Sequence, residues 1–263
     1  MDYSNYINNL ELCTEKDIKN FLIDCFANKT LPYTYFMLQK MNKLNNIPFL
    51  NQIEKYCLGV REYNSILISE ADNIINYFKE KNINLYPVKG YFINKYLYEN
   101  NSIRELSDID FICLDTFKKE IILEMPYLNY KTIRYNDKSN LDISIKNVTS
   151  VLFIKKKNIT IKMDFKFVED NSLFYFLIKR LDNEENKINK YSMLLYLILL
   201  SIDQEKNICS FNLMKQIDLH NFFIKNSKIT YKEVDLLINK LNNPYKCKEL
   251  LKKLNMEEKN SDK

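Results

Sequence analysis

Apolar residues recur at helical spacing over the first eighty or so positions, alternate near the middle of the chain, and then return to helical spacing. Near the start, Ile18, Phe21, Leu22 and Cys25 lie three and four apart. Ahead of them, Thr14-Glu15-Lys16-Asp17 resembles a capping box. Leu31-Pro32 breaks this helix, and a second is expected over 33–44. Pro48 precedes a long pattern over 53–78, in which Tyr56, Val60, Tyr63, Ile66, Ile74, Ile75 and Phe78 fall near helical spacing. Its expected place is under a sheet. The rhythm changes at 83–88, a short apolar run that ends at Lys89-Gly90. A helix is expected from Tyr91 to about Glu99, with Phe92, Tyr96 and Leu97 in phase. A polar loop, 99–107, holds Arg104. Asp108-Ile109-Asp110 then opens a second apolar run, 111–114, closed by Asp115-Thr116.

Downstream, Thr116 is expected to cap a helix through Met125, with Pro126 as its stop. Stretches 141–145 and 151–154 alternate, and Lys155-Lys156-Lys157-Asn158 reads as a solvated hairpin turn. Ile159, Ile161, Met163, Phe165 and Phe167 alternate cleanly, which predicts a half-buried strand. Its polar face carries Thr160, Lys162, Asp164 and Lys166. Helices are expected over 172–181, 191–202, 211–224 and 230–241, the last behind a capping box at Thr230-Tyr231-Lys232-Glu233. Pro244 starts a final amphipathic piece, and the polar tail from Glu257 is expected to be disordered. The expected organisation is a helical region over 1–82, an α/β core over 83–170, a second helical region over 171–256 and a tail over 257–263. The fold class is α+β, a small mixed sheet flanked by helices.

Composition narrows this picture. The 263 residues include only 2 glycines and 5 prolines, against a loop-rich all-β fold, while 46% hydrophobic content is enough for a substantial core. A net charge of +5 suits anionic substrates but falls short of a nucleic-acid footprint. The six cysteines form no Cys-x-x-Cys pair and follow no signal peptide, which predicts reduced thiols in a cytoplasmic protein. With His220 as the single histidine, a zinc site or a Ser-His-Asp triad has almost nothing to be built from. No apolar run reaches the roughly 20 residues of a membrane span.

The chemistry concentrates between Tyr86 and Asp115. Side chains two apart on a strand share a face. If Ile109 and Phe111 face a core, Asp108 and Asp110 face away from it together. Two carboxylates this close need positive charge between them, and a hard divalent cation with phosphate oxygens in its shell is the usual answer. Lys89, Gly90 and Arg104 are what a phosphate would want nearby: an ammonium, a close backbone approach at a helix start, and a two-donor clamp. Asp-x-Asp alone is more often a solvated strand end. The string of Lys-Gly, helix, Arg and Asp-x-Asp on an apolar strand is far more specific.

At these residues the chain resembles the nucleotidyltransferase superfamily of polymerase-β-like fold. Within it, the similarity is to an uncharacterised bacterial group with a Lys-Gly, helix, Arg and Asp-Ile-Asp motif, and it runs roughly over 47–224. Gly90 stands at the glycine of the usual Gly-Ser pair and Tyr91 replaces the serine, removing one hydroxyl contact to phosphate. The resemblance implies a small nucleotidyltransferase sheet, Mg²⁺ (or Mn²⁺) as cofactor and an NTP such as ATP as substrate. Asp108, Asp110 and Asp164 become the candidate catalytic and metal-binding acids. Lys89, Gly90, Arg104 and Lys162 become candidate nucleotide contacts. In the family pattern the third acid stands two residues earlier, where this chain has Lys162, so Asp164 is expected one pleat away, with Asp142 as a weaker candidate. Asp218 and His220, in a pattern like the family's C-terminal helical region, read as structural. The implied reaction moves a nucleoside monophosphate to an acceptor hydroxyl on a small molecule, a peptide or RNA. The alternative is a catalytically degenerate nucleotide-binding or regulatory module on the same fold. A toxin–antitoxin or peptide-tailoring role with a macromolecular acceptor stands by analogy with relatives. Neither the acceptor, the base preference nor the oligomeric state can be read from the residues.

Overall fold

A computed structural model of the chain describes residues 7–45, 47–98, 103–137, 148–156, 158–169, 194, 197, 202–203, 208–209 and 213–226. The fold class is α+β, as expected. Helix α1, Glu15–Ala27, starts at the capping box: the Thr14 hydroxyl accepts from the Asp17 N–H, and the Asp17 carboxylate accepts from the Thr14 N–H, both at 3.2 Å. Helix α2, Leu31–Lys40, carries its proline in the first turn, where a missing N–H is harmless. Helix α3, Leu50–Glu80, has 31 residues, about 46 Å at the usual rise. Its apolar stripe serves two clusters. Ile53 and Cys57 pack with α1 and α2, whereas Leu67, Ile68, Ala71, Ile74 and Phe78 lie under the sheet.

Five strands form that sheet in the order β1-β2-β5-β4-β3. They are β1, Tyr86–Val88; β2, Ile109–Leu114; β3, Lys131–Asp137; β4, Val148–Lys156; and β5, Thr160–Val168. The β2–β5 pair is parallel and the others are antiparallel. Ile109, Phe111 and Cys113 share one face with Met163, Phe165, Val151 and Phe153, all fully buried. The Phe165 ring lies 4.9 Å from that of Phe111 and 5.5 Å, edge to face, from that of Phe153. The long helix and α5, Lys118–Glu124, cover this face.

Several local expectations are corrected. Thr116 lies inside a short 3₁₀ turn, Asp115–Phe117, and α5 starts without a side-chain cap. The α-helix does end just ahead of Pro126, which falls within a further 3₁₀ turn, Met125–Leu128. Strand β3 lies where no strand is expected, and β4 continues through Lys155 and Lys156 of the expected turn. Lys155 is not solvated: its ammonium pairs with Glu70 at 3.0 Å and sits over the Tyr130 ring. This links sheet to helix, because Glu70 also accepts from the Tyr130 hydroxyl at 3.2 Å. Helix α4, Lys89–Leu97, begins two residues earlier than expected, so Lys89 and Gly90 form its first turn. Leu194 and Leu197 are buried in helix, but Ile202 belongs to a short strand, β6, Ile202–Asp203, paired with β7, Ile208–Cys209. Helix α6, Leu213–Lys225, follows. The expected strand at 141–145 with Asp142, the helices at 172–181 and 230–241, and the tail lie outside the described residues. Among the described residues, no helix is long and apolar enough to cross a membrane.

The aromatic stack sets a stability prediction. Phe165→Ala should lower the unfolding free energy by about 3–5 kcal/mol, since it removes a large side chain from a site with no room to collapse. Urea unfolding followed by circular dichroism measures this, and a loss below about 1 kcal/mol would contradict the packing described.

Candidate functional site

The pleat of β2 separates its side chains as the sequence predicts. Ile109 and Phe111 have no exposed surface, while Asp110 between them, 9% exposed, lies on the other face. Parallel pairing sets Asp110 opposite Asp164 on β5. Paired residues on neighbouring strands stand about 5 Å apart with side chains on one face. Asp164 is therefore beside Asp110, not one pleat further along. Lys162 precedes Met163, the partner of Ile109, so it stands across from Asp108 and is exposed. Asp108 accepts a hydrogen bond from the Ser107 hydroxyl at 3.0 Å.

The positive partner of this acid group comes from the β1–α4 junction. Lys89 takes a left-handed backbone conformation, φ 50°, which is uncommon for a residue with a side chain. From there its ammonium forms an ion pair with Asp110. Burial works against the charge on Lys89, yet Asp110, Asp164 and Asp108 together hold its pKa above the ordinary lysine value. Burial also pushes the Asp110 carboxyl up to about 6; Lys89 opposes the shift, and Asp108 and Asp164 add to it. Tyr91, at the serine position of the Gly-Ser pattern, points elsewhere. It is 4% exposed and donates its hydroxyl to Asp72 of α3.

Arg104 is built in from three sides. Asn64 of α3 donates to the Arg104 carbonyl at 2.8 Å and accepts from the Leu106 N–H at 3.0 Å, and Asn94 of α4 donates to the same carbonyl at 3.1 Å. The Arg104 side chain donates from Nε to both carboxylate oxygens of Asp218 on α6, at 3.1 and 3.2 Å. Gly90 makes the close approach possible: a Cβ there would meet Arg104 Nη1 at 2.9 Å and Leu106 Cδ2 at 3.0 Å. Its φ is negative, so the glycine is needed for space and not for backbone freedom.

These parts surround a cleft of about 220 Å³, lined by Lys89, Gly90, Arg104, Asp108 and Asp110. Asn28 and Lys29, at the end of α1, and Met214 and Lys215, in the first turn of α6, also border it. Neither Asp164 nor Lys162 is part of the lining, although Asp164 stands beside Asp110 in the sheet. Sequence reading missed the contribution of α1 and α6 and the pairing of Asp218 with Arg104. An acid inside the apolar run Ile217-Asp218-Leu219 was the available signal, because a buried carboxylate needs a partner. Among the described residues, no three carboxylate, thiolate or imidazole groups converge tightly enough to enclose a metal ion as the side chains stand. The donor set still fits a hard divalent cation in kind, since it offers only carboxylate oxygens and Asp110 and Asp164 are adjacent.

A family model described as an uncharacterised nucleotidyltransferase matches residues 14–243. The chain belongs to that family. The match runs from Thr14 past α6, so the outer walls of the cleft fall within this nucleotidyltransferase family as well as its α/β core. Among solved structures, an antigenic nucleotidyltransferase-like protein from Paracoccidioides brasiliensis is similar at a TM-score of 0.43 and 9% identity, covering 72% of this chain and 87% of that one. That likeness is too loose to carry a further point. No curated protein matches the chain.

The raised Asp110 pKa gives this nucleotidyltransferase a pH signature. The folded state binds the proton more tightly than the unfolded chain does. Stability of the metal-free protein should therefore fall as pH rises from the ordinary carboxylate range to about 6, and level off above it. The slope of a fully coupled group is about 1.4 kcal/mol per pH unit. Asp110→Asn should flatten the dependence in that window and raise the melting temperature at pH 7. A variant less stable than the wild type at pH 7 would show that Lys89 over-compensates the charge.

Proposed function

We propose that this nucleotidyltransferase binds a nucleoside triphosphate with Mg²⁺ (or Mn²⁺) and transfers the nucleoside monophosphate to an acceptor hydroxyl, releasing pyrophosphate. The observation that carries the reading is the in-register pair Asp110–Asp164, with Asp108 on the wall of a cleft that also holds Lys89 and Arg104. Asp108, Asp110 and Asp164 would hold the cation. When bound, a divalent cation supplies the positive charge that lets carboxylates and phosphate oxygens share one site. Lys89 and Arg104 bind phosphate oxygens, Arg104 through its outer guanidinium nitrogens, because Nε is committed to Asp218. Asp164 takes the proton of the acceptor hydroxyl as its oxygen bonds to the α-phosphorus. The bond from that phosphorus to the bridging oxygen breaks, and pyrophosphate departs. The acceptor is a small molecule, a peptide or RNA, and ATP is the first nucleotide to try.

A second reading, a nucleotide-binding module without turnover, has one observation in its favour. The Lys89 ammonium already sits on Asp110, a fixed charge where a cation would go.

Incubation with each of the four NTPs and Mg²⁺, with pyrophosphate as readout, separates the two. The enzyme reading expects release that disappears in Asp110→Asn and Asp164→Asn. Tight binding without release from any NTP, across candidate acceptors of all three classes, would favour the module. Lys89→Ala should weaken nucleotide binding by about 1.5–3 kcal/mol, the scale of a hydrogen bond to a charged group. An unchanged dissociation constant would reduce Lys89 to a partner of Asp110.

Gly90→Ala tests the Arg104 contact. The new methyl group would meet both Arg104 Nη1 and Leu106 Cδ2, and Arg104 is held at Nε by Asp218, so it should displace the guanidinium from the wall and lower the melting temperature. Nucleotide affinity should fall. Unchanged affinity despite a lowered melting temperature would remove Arg104 from the nucleotide site.

A further inference from the structure

Asp218 is the most deeply buried carboxylate among the described residues, at 2% exposure. Its surroundings are more specific than charge neutralisation requires. Both oxygens accept from Arg104 Nε, and Oδ1 also accepts from the Tyr98 hydroxyl at 2.6 Å. Asn221, one turn on in α6, donates to that same hydroxyl at 3.3 Å and accepts from Tyr33 of α2 at 3.2 Å. The network therefore reaches from α2 through the end of α4 to α6, and it ends on one edge of a guanidinium at the cleft. The α6 turn that precedes Asp218 brings Met214 and Lys215 to the cleft wall.

An arginine side chain has several rotatable bonds, and a clamp that must be ordered on binding is weaker for it. Fixing Nε leaves the plane of the guanidinium set before any ligand arrives. We propose that Asp218 is a positioning residue for nucleotide binding: from α6 it holds the Nε edge of Arg104 so that the outer edge lies against Gly90 and faces the polyphosphate. This inference rests on the nucleotidyltransferase reading above. It makes α6 part of the binding site, although that helix lies outside the sheet that carries the acids.

The test uses the full chain and Mg·ATP together with the other three NTPs, with calorimetric dissociation constants and melting temperatures for wild type, Asp218→Asn, Arg104→Ala and the double variant. Asp218→Asn should raise the dissociation constant about tenfold or more, the scale of a charge-assisted contact. In the Arg104→Ala background the same change should have no further effect. An equal loss of affinity in both backgrounds, or a lowered melting temperature with affinity intact, would overturn the proposal and leave Asp218 a purely structural acid. Should Asp218→Asn fail to fold, the wild-type Arg104 Nε–H resonance, assigned by its absence in Arg104→Lys, decides. Protection from solvent exchange in the free protein, with a shift on nucleotide saturation, supports positioning; fast exchange or no shift refutes it. If the wild type binds none of the NTPs, the nucleotide reading itself falls and takes this inference with it. Binding with no Asp218–Arg104 coupling defeats the positioning role alone.

Discussion

Like charges gathered on a half-buried surface repel one another, and burial strengthens the repulsion by removing water. Asp108, Asp110 and Asp164 are such a group, gathered because β2 and β5 run parallel and in register. Their other face is the centre of the sheet's core, so they cannot move apart without disturbing Phe111 and Phe165. Something positive has to answer them. Lys89 does so, held in a left-handed turn that a residue with a side chain seldom adopts. Strain of this kind persists where surrounding structure over-determines it, as at a strand-to-helix junction beside a buried carboxylate.

The helices do more than cover the sheet. The long helix α3 supplies Asn64, which satisfies backbone groups of the 104–106 loop as a neighbouring strand would. It also supplies Asp72, which draws the Tyr91 hydroxyl away from the cleft. Helix α6 supplies Asp218 to Arg104. The site is thus a junction of three segments far apart in sequence, and its acids alone come from the sheet. Nucleotidyltransferase family membership extends across all three.

Much of this was legible from residue order, for a physical reason. Periodicity reports which face of an element is buried, and Asp110 shares its strand with Ile109 and Phe111, so its facing was set locally. The capping box at Thr14, the alternation of β5 and the Lys-Gly, Arg and Asp-x-Asp string are local patterns of the same kind. Where local chemistry was ambiguous, reading by composition failed. Lys155 looked solvated in a run of lysines but is half-buried, paired with Glu70 over the Tyr130 ring. Thr116 looked like a cap and is not one.

What residue order by itself determined was which side chains face together within an element. What only tertiary structure decided was which elements meet. The register of β2 against β5 is a long-range choice, and one pleat of slip would have set Lys162 in place of Asp164 beside Asp110. The pairing of Asp218 with Arg104 joins residues 114 positions apart. No local pattern encodes that separation, because it arises from the packing of α6 against the end of α4. Burial then turns an acid in an apolar run into the partner of one particular guanidinium.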